Sequence, residues 1–370
     1  MEENKKSSSF RKNLLYLIFT VITIIVILFY LFINIPVDTF FQIITNFIWF
    51  WFIITFVDLL FCMLLRGFRL KFLLKEFNEG VTYRDCLFSI FGGYYINSIS
   101  PARLGDVYNA YVLNKSSNVN LGHSVGSIVI ARILDLAILV IFALTTIFYH
   151  IFFGKSIFVG LTPSVLQYLQ PVFIIIIVIT VIFVLIIIFK EKFLILLNKI
   201  LGRLPIIKKM ERKESIEKLS KESIETIEYF LKNKKILLIT LFLTFGIVFL
   251  DTLTIFFMTR AINFPFTSLR FFANDLYHNM PLYLTIMTGS MALLSLSFVI
   301  LPGGIGQYEL VGAIILENIV GLALIPWGFT GFTFMFIEHL LVRAVFFSVG
   351  GNISLYKLGK PEKVLKELNV

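Results

Sequence analysis

The sequence predicts an all-α polytopic membrane protein with about six full spans, two re-entrant hairpins of opposite orientation and an inverted repeat relating its halves. Three observations carry this prediction. The 370-residue chain is 58% hydrophobic, with a mean hydropathy of +0.90, whereas soluble domains are roughly 45–50% apolar. Its apolar runs reach the length of about 20 residues that a bilayer requires of a helix. Two of those runs are broken, at Pro101-x-Arg103-x-Gly105-Asp106 and at Pro302-Gly303-Gly304-x-Gly306-Gln307, and both breaks read Pro-x-x-x-Gly-polar. Irregular backbone at membrane depth survives only where protein or a wet cavity satisfies it. Paired interruptions in two halves of a membrane protein point to a transport site.

In chain order, the full spans are 14–35, 40–65, 123–149, 166–189, 236–258 and 326–356, and the broken stretches are 86–113 and 279–323. The run 14–35 follows Lys5, Lys6, Arg11 and Lys12 but is too long for the apolar core of a signal peptide and lacks its cleavage site, so it reads as a retained span. Residues 1–13 and 357–370 are then tails around one membrane domain, 14–356. The 190–235 loop holds thirteen Lys/Arg. Within it Ile216, Leu219, Ile224, Ile227 and Leu231 recur at helical spacing, which fits either an amphipathic helix on the membrane surface or a solvated hairpin.

Loop charge sets direction. The basic segments are the N-terminal tail, 66–84 (Arg66, Arg69, Lys71, Lys75, Arg84), 190–235 and the tail with Lys357, Lys360, Lys363 and Lys366; 33–46 has no Lys or Arg and 150–165 only Lys155. The positive-inside rule puts the basic set, and both termini, in the cytoplasm, as expected of a multi-pass plasma-membrane protein. Tracing the path, 86–113 must enter and leave on the cytoplasmic side and 279–323 on the outer side. Half one is therefore 40–149 and half two, inverted, 236–356. A simple eight-span protein also ends with its tail inside and competes with this topology.

The net charge of +10 fits contact with anionic headgroups, and no nucleic-acid motif is present. Cys62 and Cys86 sit among apolar residues and read as buried thiols. The four histidines (His123, His150, His278, His339) lack ligand spacing, so no metal site is expected. Nor does any nucleotide, cofactor or nucleophile motif appear.

Ionisable residues inside spans cost on the order of 2.5–3.5 kcal/mol each on insertion scales and persist by pairing or by facing a cavity. Arg132 and Asp135, three apart, share a helix face, where Arg132 can reach an anionic headgroup and Asp135 can orient it. His339 and Arg343 form the i,i+4 pair of the last span, and that face is preferred over Glu338. Asp58 and Asp251 fit either a substrate path or the bundle interior. At the breaks, Gly105, Gly303, Gly304 and Gly306 permit positive φ or close backbone approach, with Pro101 and Pro302 setting the turns. A helix starting after a break offers free N–H groups to a phosphate. Arg103 adds a bidentate donor. Asp106 and Glu309 sit in the first turns that follow, and Asn97, with Ser98, Gln307 and Tyr308, offers polar atoms to a headgroup.

Asn97-x-x-x-Pro101-x-Arg103-x-Gly105-Asp106, Arg132-x-x-Asp135, Leu301-Pro302-Gly303-Gly304-Ile305-Gly306-x-x-Glu309 and a late Arg343 together resemble the lysylphosphatidylglycerol synthase transmembrane region, or flippase-like domain family. The resemblance covers roughly 14–356. It implies a lipid-translocating membrane domain with two re-entrant elements. Bifunctional relatives add a soluble aminoacyl-transferase domain; this chain shows none, so synthase activity is not implied. The family usually has Gly-Glu where this chain has Gly105-Asp106, which keeps the charge with a shorter reach.

The expected function is flippase-like translocation of an anionic phospholipid or lipid-linked headgroup, without catalysis, with Arg103, Arg132 and Arg343 on the phosphate and Asp106, Asp135 and Glu309 orienting them. A secondary transporter of a small anion and a membrane-embedded lipid-modifying enzyme are the alternatives. The expected partner is a membrane lipid, and a homo-oligomer is compatible with the sequence.

Overall fold

A computed structural model describes residues 45, 47–78, 80–100, 103–153, 213–262, 282–298, 302–318 and 331–358. All regular structure among them is helical: α1 (Trp49–Leu74), α2 (Tyr83–Ile99), α3 (Leu104–Ser117), α4 (Leu121–Phe153), α5 (Lys213–Lys232), α6 (Lys234–Ala261), α7 (Leu282–Ser295), α8 (Gln307–Asn318), α9 (Gly331–Ile337), a π-helical turn Glu338–Ala344, and α10 (Val345–Leu358). Among the described residues four stretches are long and apolar enough to cross a membrane: Trp49–Leu74, Leu121–Thr146, Lys234–Ala261 and Phe334–Ser354. The predicted spans 14–35 and 166–189, the N-terminal tail and residues 359–370 lie outside the described residues.

The bundle is apolar outside and buries charged side chains among its apolar core. Phe50, Ile53, Phe61 and Phe68 of α1, Leu238 and Phe242 of α6, and Val345, Val349 and Ile353 of α10 are exposed. Arg66, Arg69, Asp135, Asp251, Glu338 and Arg343 are buried. In water such a surface would aggregate; in hydrocarbon it needs no cover, and the charges take the interior.

One span differs from its sequence expectation. The run 40–65 was expected to end at Arg66, but the helix is Trp49–Leu74, and Arg66 and Arg69 are 6% and 4% exposed. They do not end the span because carboxylates from other helices meet them inside the bundle. The basic segment expected to start at Arg66 is thus helix interior as far as Leu74.

The first broken stretch is a hairpin. Thr82 caps α2 by accepting from the Asp85 N–H at 3.2 Å, and α3 ends at Asn118 in the left-handed region, φ 50°, which Asn tolerates. The two ends lie together: the Ser117 hydroxyl donates to Asp85 at 3.0 Å and the Asn78 amide to the Ser117 carbonyl at 3.1 Å. Cysteines placed singly at Arg84 and Lys115, in a chain lacking Cys62 and Cys86, are therefore expected to label from the same face of sealed vesicles. Labelling from opposite faces would make this stretch a single full span.

The halves exchange partners. α1 runs antiparallel to α6, with Ile48 donating to the Ala261 carbonyl at 2.7 Å at one end and Arg69 to Thr244 at 2.8 Å near the other. α2 packs on α10 of the second half, while α7 packs on α4 of the first.

Helix α5 settles on α4 rather than lying apart from it. The docked face carries Leu219, Ser223, Thr226 and Phe230, whereas Leu231 of the predicted stripe is exposed. Gly122 and Gly126 of α4 leave the space: the Ser223 hydroxyl donates to the Gly122 carbonyl at 3.0 Å, and a Cβ on Gly126 would lie 2.7 Å from Thr226 Cβ.

Candidate functional site

The breaks converge. A Cβ on Gly303 would lie 3.0 Å from the Ser98 carbonyl oxygen, and Arg103 donates to the Ser297 carbonyl at 3.3 Å. Between them lies a cavity of about 170 Å³ whose lining includes Asn97, Ser98, Arg103, Arg132 and Asp135 from the first half and Asp251, Gly303, Glu309, His339 and Arg343 from the second. Seven predicted site residues thus reach one cavity, Gly303 among them; Pro101 lies outside the described residues.

The first break is held shut by Asn97. Its side-chain oxygen accepts from the Gly105 N–H at 2.8 Å, so that oxygen is occupied by the hairpin rather than offered to a headgroup. Gly105 is helical and has no positive φ. Its need is space, since a Cβ there would overlap the Gly93 carbonyl oxygen. In the second break Gly303, Gly304 and Gly306 do take positive φ, at 65°, 71° and 90°, as the sequence suggested.

Arg103 also has positive φ, 56°. For a residue with a side chain this costs roughly 1–2 kcal/mol, and such strain concentrates at functional sites. Glycine would relieve it, yet the position carries a guanidinium aimed at the cavity.

Arginine–carboxylate pairs then run through the bundle. Arg132 meets Asp106 at 2.7 Å, and Arg103 lies 3.8 Å from the same carboxylate. Asp135 is 3.7 Å from Arg132, but its nearer partners are Arg69 at 2.5 Å and Arg66 at 3.5 Å. The role expected of Asp135, orienting Arg132, therefore falls chiefly to Asp106. Arg66 continues to Asp251 at 2.5 Å, and Asp251 to Arg343 at 2.6 Å. Tyr94 lies under both Arg66 and Arg132, with ring centroids 5.3 and 5.5 Å from the guanidinium carbons.

The last span corrects the preferred face. Arg343 pairs with Glu338 at 2.9 Å, not with His339. The turn Glu338–Ala344 is π-helical, and its wider winding brings residues five apart onto one face. His339 turns instead to Glu309 at 2.8 Å. The other Glu309 oxygen accepts from the Gly306 N–H at 2.7 Å, tying the loop to the helix after it.

The halves thus repeat a device. Asp106 and Glu309 are each the third residue of the helix after a break, and each meets a basic side chain of the following span, Arg132 or His339. No cluster that could hold a metal ion occurs among the described residues. Arg66 and Arg69 are the functional candidates the sequence reading passed over. Their spacing of three from one another, and of eight and eleven from Asp58, continues a helical face past the apparent end of the span.

Fold and cavity define a helical membrane protein with a charged chamber where two broken segments meet. The chain matches the family model for the lysylphosphatidylglycerol synthase TM region over residues 16–337 and belongs to that family, which connects it with membrane lipids. It is similar to two UPF0104 membrane proteins of Methanocaldococcus jannaschii. One is MJ1078, 44% identical over 46 residues (12% of this chain, 20% of that protein). The other is MJ1595, 30% identical over 88 residues (23% of this chain, 26% of that protein). The matches thus span about a quarter or less of these relatives. No solved structure matches.

Proposed function

We propose that this protein translocates a lipid with an anionic headgroup between the leaflets of the cell membrane, as a flippase-like carrier and not as an enzyme, with both termini in the cytoplasm. The observation that supports this reading is the cavity at the meeting of the breaks, lined by Arg66, Arg103, Arg132 and Arg343 inside a bundle whose outer face is apolar. A headgroup crossing hydrocarbon needs its charge answered at every depth, and guanidinium groups answer phosphate with paired hydrogen bonds. Arg103 is the freest of the four: it holds one carbonyl and a carboxylate at 3.8 Å, so its fork can turn to a phosphate at least cost.

The test is leaflet exchange of fluorescent phosphatidylglycerol in proteoliposomes, beside a neutral diacylglycerol probe and a soluble phosphate ester. Arg103→Gly is expected to slow exchange at least about tenfold, the loss of one charge-assisted contact, while unfolding no earlier than the parent because the left-handed position is relieved. Exchange unchanged by this substitution would overturn the site. Uptake of the soluble ester without lipid exchange would overturn the lipid reading.

A further inference from the structure

Behind the main cavity lies a smaller one of about 30 Å³, lined by Arg66, Arg69, Arg132, Tyr94 and Asn109 with an aliphatic remainder and no carboxylate. Arg66, Tyr94 and Arg132 line both. Three of its polar residues carry a buried atom without a hydrogen-bond partner: Arg66 Nε, Arg69 Nε and Asn109 Oδ1. These residues are 6%, 4% and 7% exposed. Unpaired buried donors on charged groups are costly and call for an occupant.

The lining says which occupant: three guanidinium groups, two of them with an unpartnered Nε, and no carboxylate. Among the described residues the connected ion pairs join five guanidinium groups (Arg66, Arg69, Arg103, Arg132, Arg343) to four carboxylates (Asp106, Asp135, Asp251, Glu338). Asp58, buried with one carboxyl oxygen unpartnered, and Glu309, paired with His339, stand outside these pairs. Asp135 is the carboxylate that all three arginines of the small cavity share, while Asp251 also meets Arg66 and Asp106 also meets Arg132, so Arg69 has the least compensated charge. The volume is about twice what a single water needs.

We infer that this cavity is a binding site for a small monovalent inorganic anion of the halide class. The anion accepts from Arg66 and Arg69, and one water beside it donates to the Asn109 side-chain oxygen, Oδ1. It sits behind Arg66 and Arg132, the two arginines that the large cavity also presents, and so supports them from the side opposite the proposed headgroup. This site is independent of the lipid reading, because its occupancy is measured without any lipid exchange.

The test is thermal unfolding of the purified full-length protein in detergent, titrated with sodium chloride against sodium gluconate at constant ionic strength. Chloride is expected to raise Tm by about 2–4 °C and to saturate, as binding to the folded state alone requires, with bromide replacing it. In Asn109→Asp the new carboxylate stands in for the anion. The chloride response is then expected to vanish, with Tm in gluconate no lower than that of the parent. Equal Tm in chloride and gluconate for the parent would mean that the cavity holds only water, and would overturn the site. A chloride response that persists in Asn109→Asp would mark a general salt effect and overturn it equally.

Discussion

Asp135→Ala is expected to be the most destabilising single charge removal in the chain. Its carboxylate takes two bonds from Arg69, the longer at 3.2 Å, and stands within 3.5 and 3.7 Å of Arg66 and Arg132. Without it Arg66 keeps Asp251 and Arg132 keeps Asp106, but Arg69 is left with the hydroxyl of Thr244 at 2.8 Å. A buried charge stripped of its partner costs about 3–5 kcal/mol. Asp135→Asn keeps the shape and an acceptor oxygen while losing the charge, so it should fall between the parent and alanine. The measurement is thermal unfolding in detergent together with the yield of monodisperse protein. A loss in Tm under about 2 °C for the alanine variant would show that water reaches Arg69 and that the bundle interior is wetter than its packing implies.

Gly105→Ala should open the first hairpin. The new methyl would overlap the Gly93 carbonyl oxygen and lie 2.6 Å from the Asn97 side-chain oxygen. Both are fixed, one by helix α2 and the other by the bond it accepts from the Gly105 N–H. Relief requires α3 to move off α2, which carries Asp106 away from Arg132 and displaces Arg103 from the cavity. Overpacking of this kind costs about 1–3 kcal/mol, and the loss of lipid exchange should exceed the loss of stability. Gly246→Ala is the control: its Cβ would meet only Leu65, at 3.9 Å, and an alanine inside a helix is favoured over glycine by about 1 kcal/mol. If Gly105→Ala exchanged lipid as well as Gly246→Ala does, close approach at Gly105 would have no part in the site.

What the sequence made legible follows from how strongly each feature is encoded locally. Proline and glycine inside apolar runs mark breaks wherever they occur, and charge asymmetry gave the first hairpin the same-side ends seen in the bond from Ser117 to Asp85. Arg132, Asp106, Glu309 and Arg343 stood out because an ionisable group among apolar residues is conspicuous. Arg66 and Arg69 were lost for the converse reason: at the edge of an apolar run, followed by more lysines, a buried cation looks like a loop cation. Their partners, Asp135 and Asp251, lie 66 to 185 positions away, a separation over which no periodicity speaks. The preference for His339 with Arg343 failed because α-helical spacing was assumed where the turn is π-helical. The docked face of α5 was misjudged because its apolar stripe was legible, while the hollows at Gly122 and Gly126 that receive Ser223 and Thr226 belong to another helix.

The pairing of Arg66 and Arg69 bears on how the chain is made. Both arginines emerge from the ribosome well before Asp135, and Asp251 follows later still. Helix α1 therefore meets the insertion machinery carrying two cations whose counter-charges do not yet exist. Its apolar residues can draw it toward lipid, but each unpaired arginine opposes that transfer by on the order of 2.5–3.5 kcal/mol at mid-helix. Residence of α1 in the bilayer becomes secure only after α4 and α6 have arrived beside it, so the helix synthesised first among these three is the last to be committed.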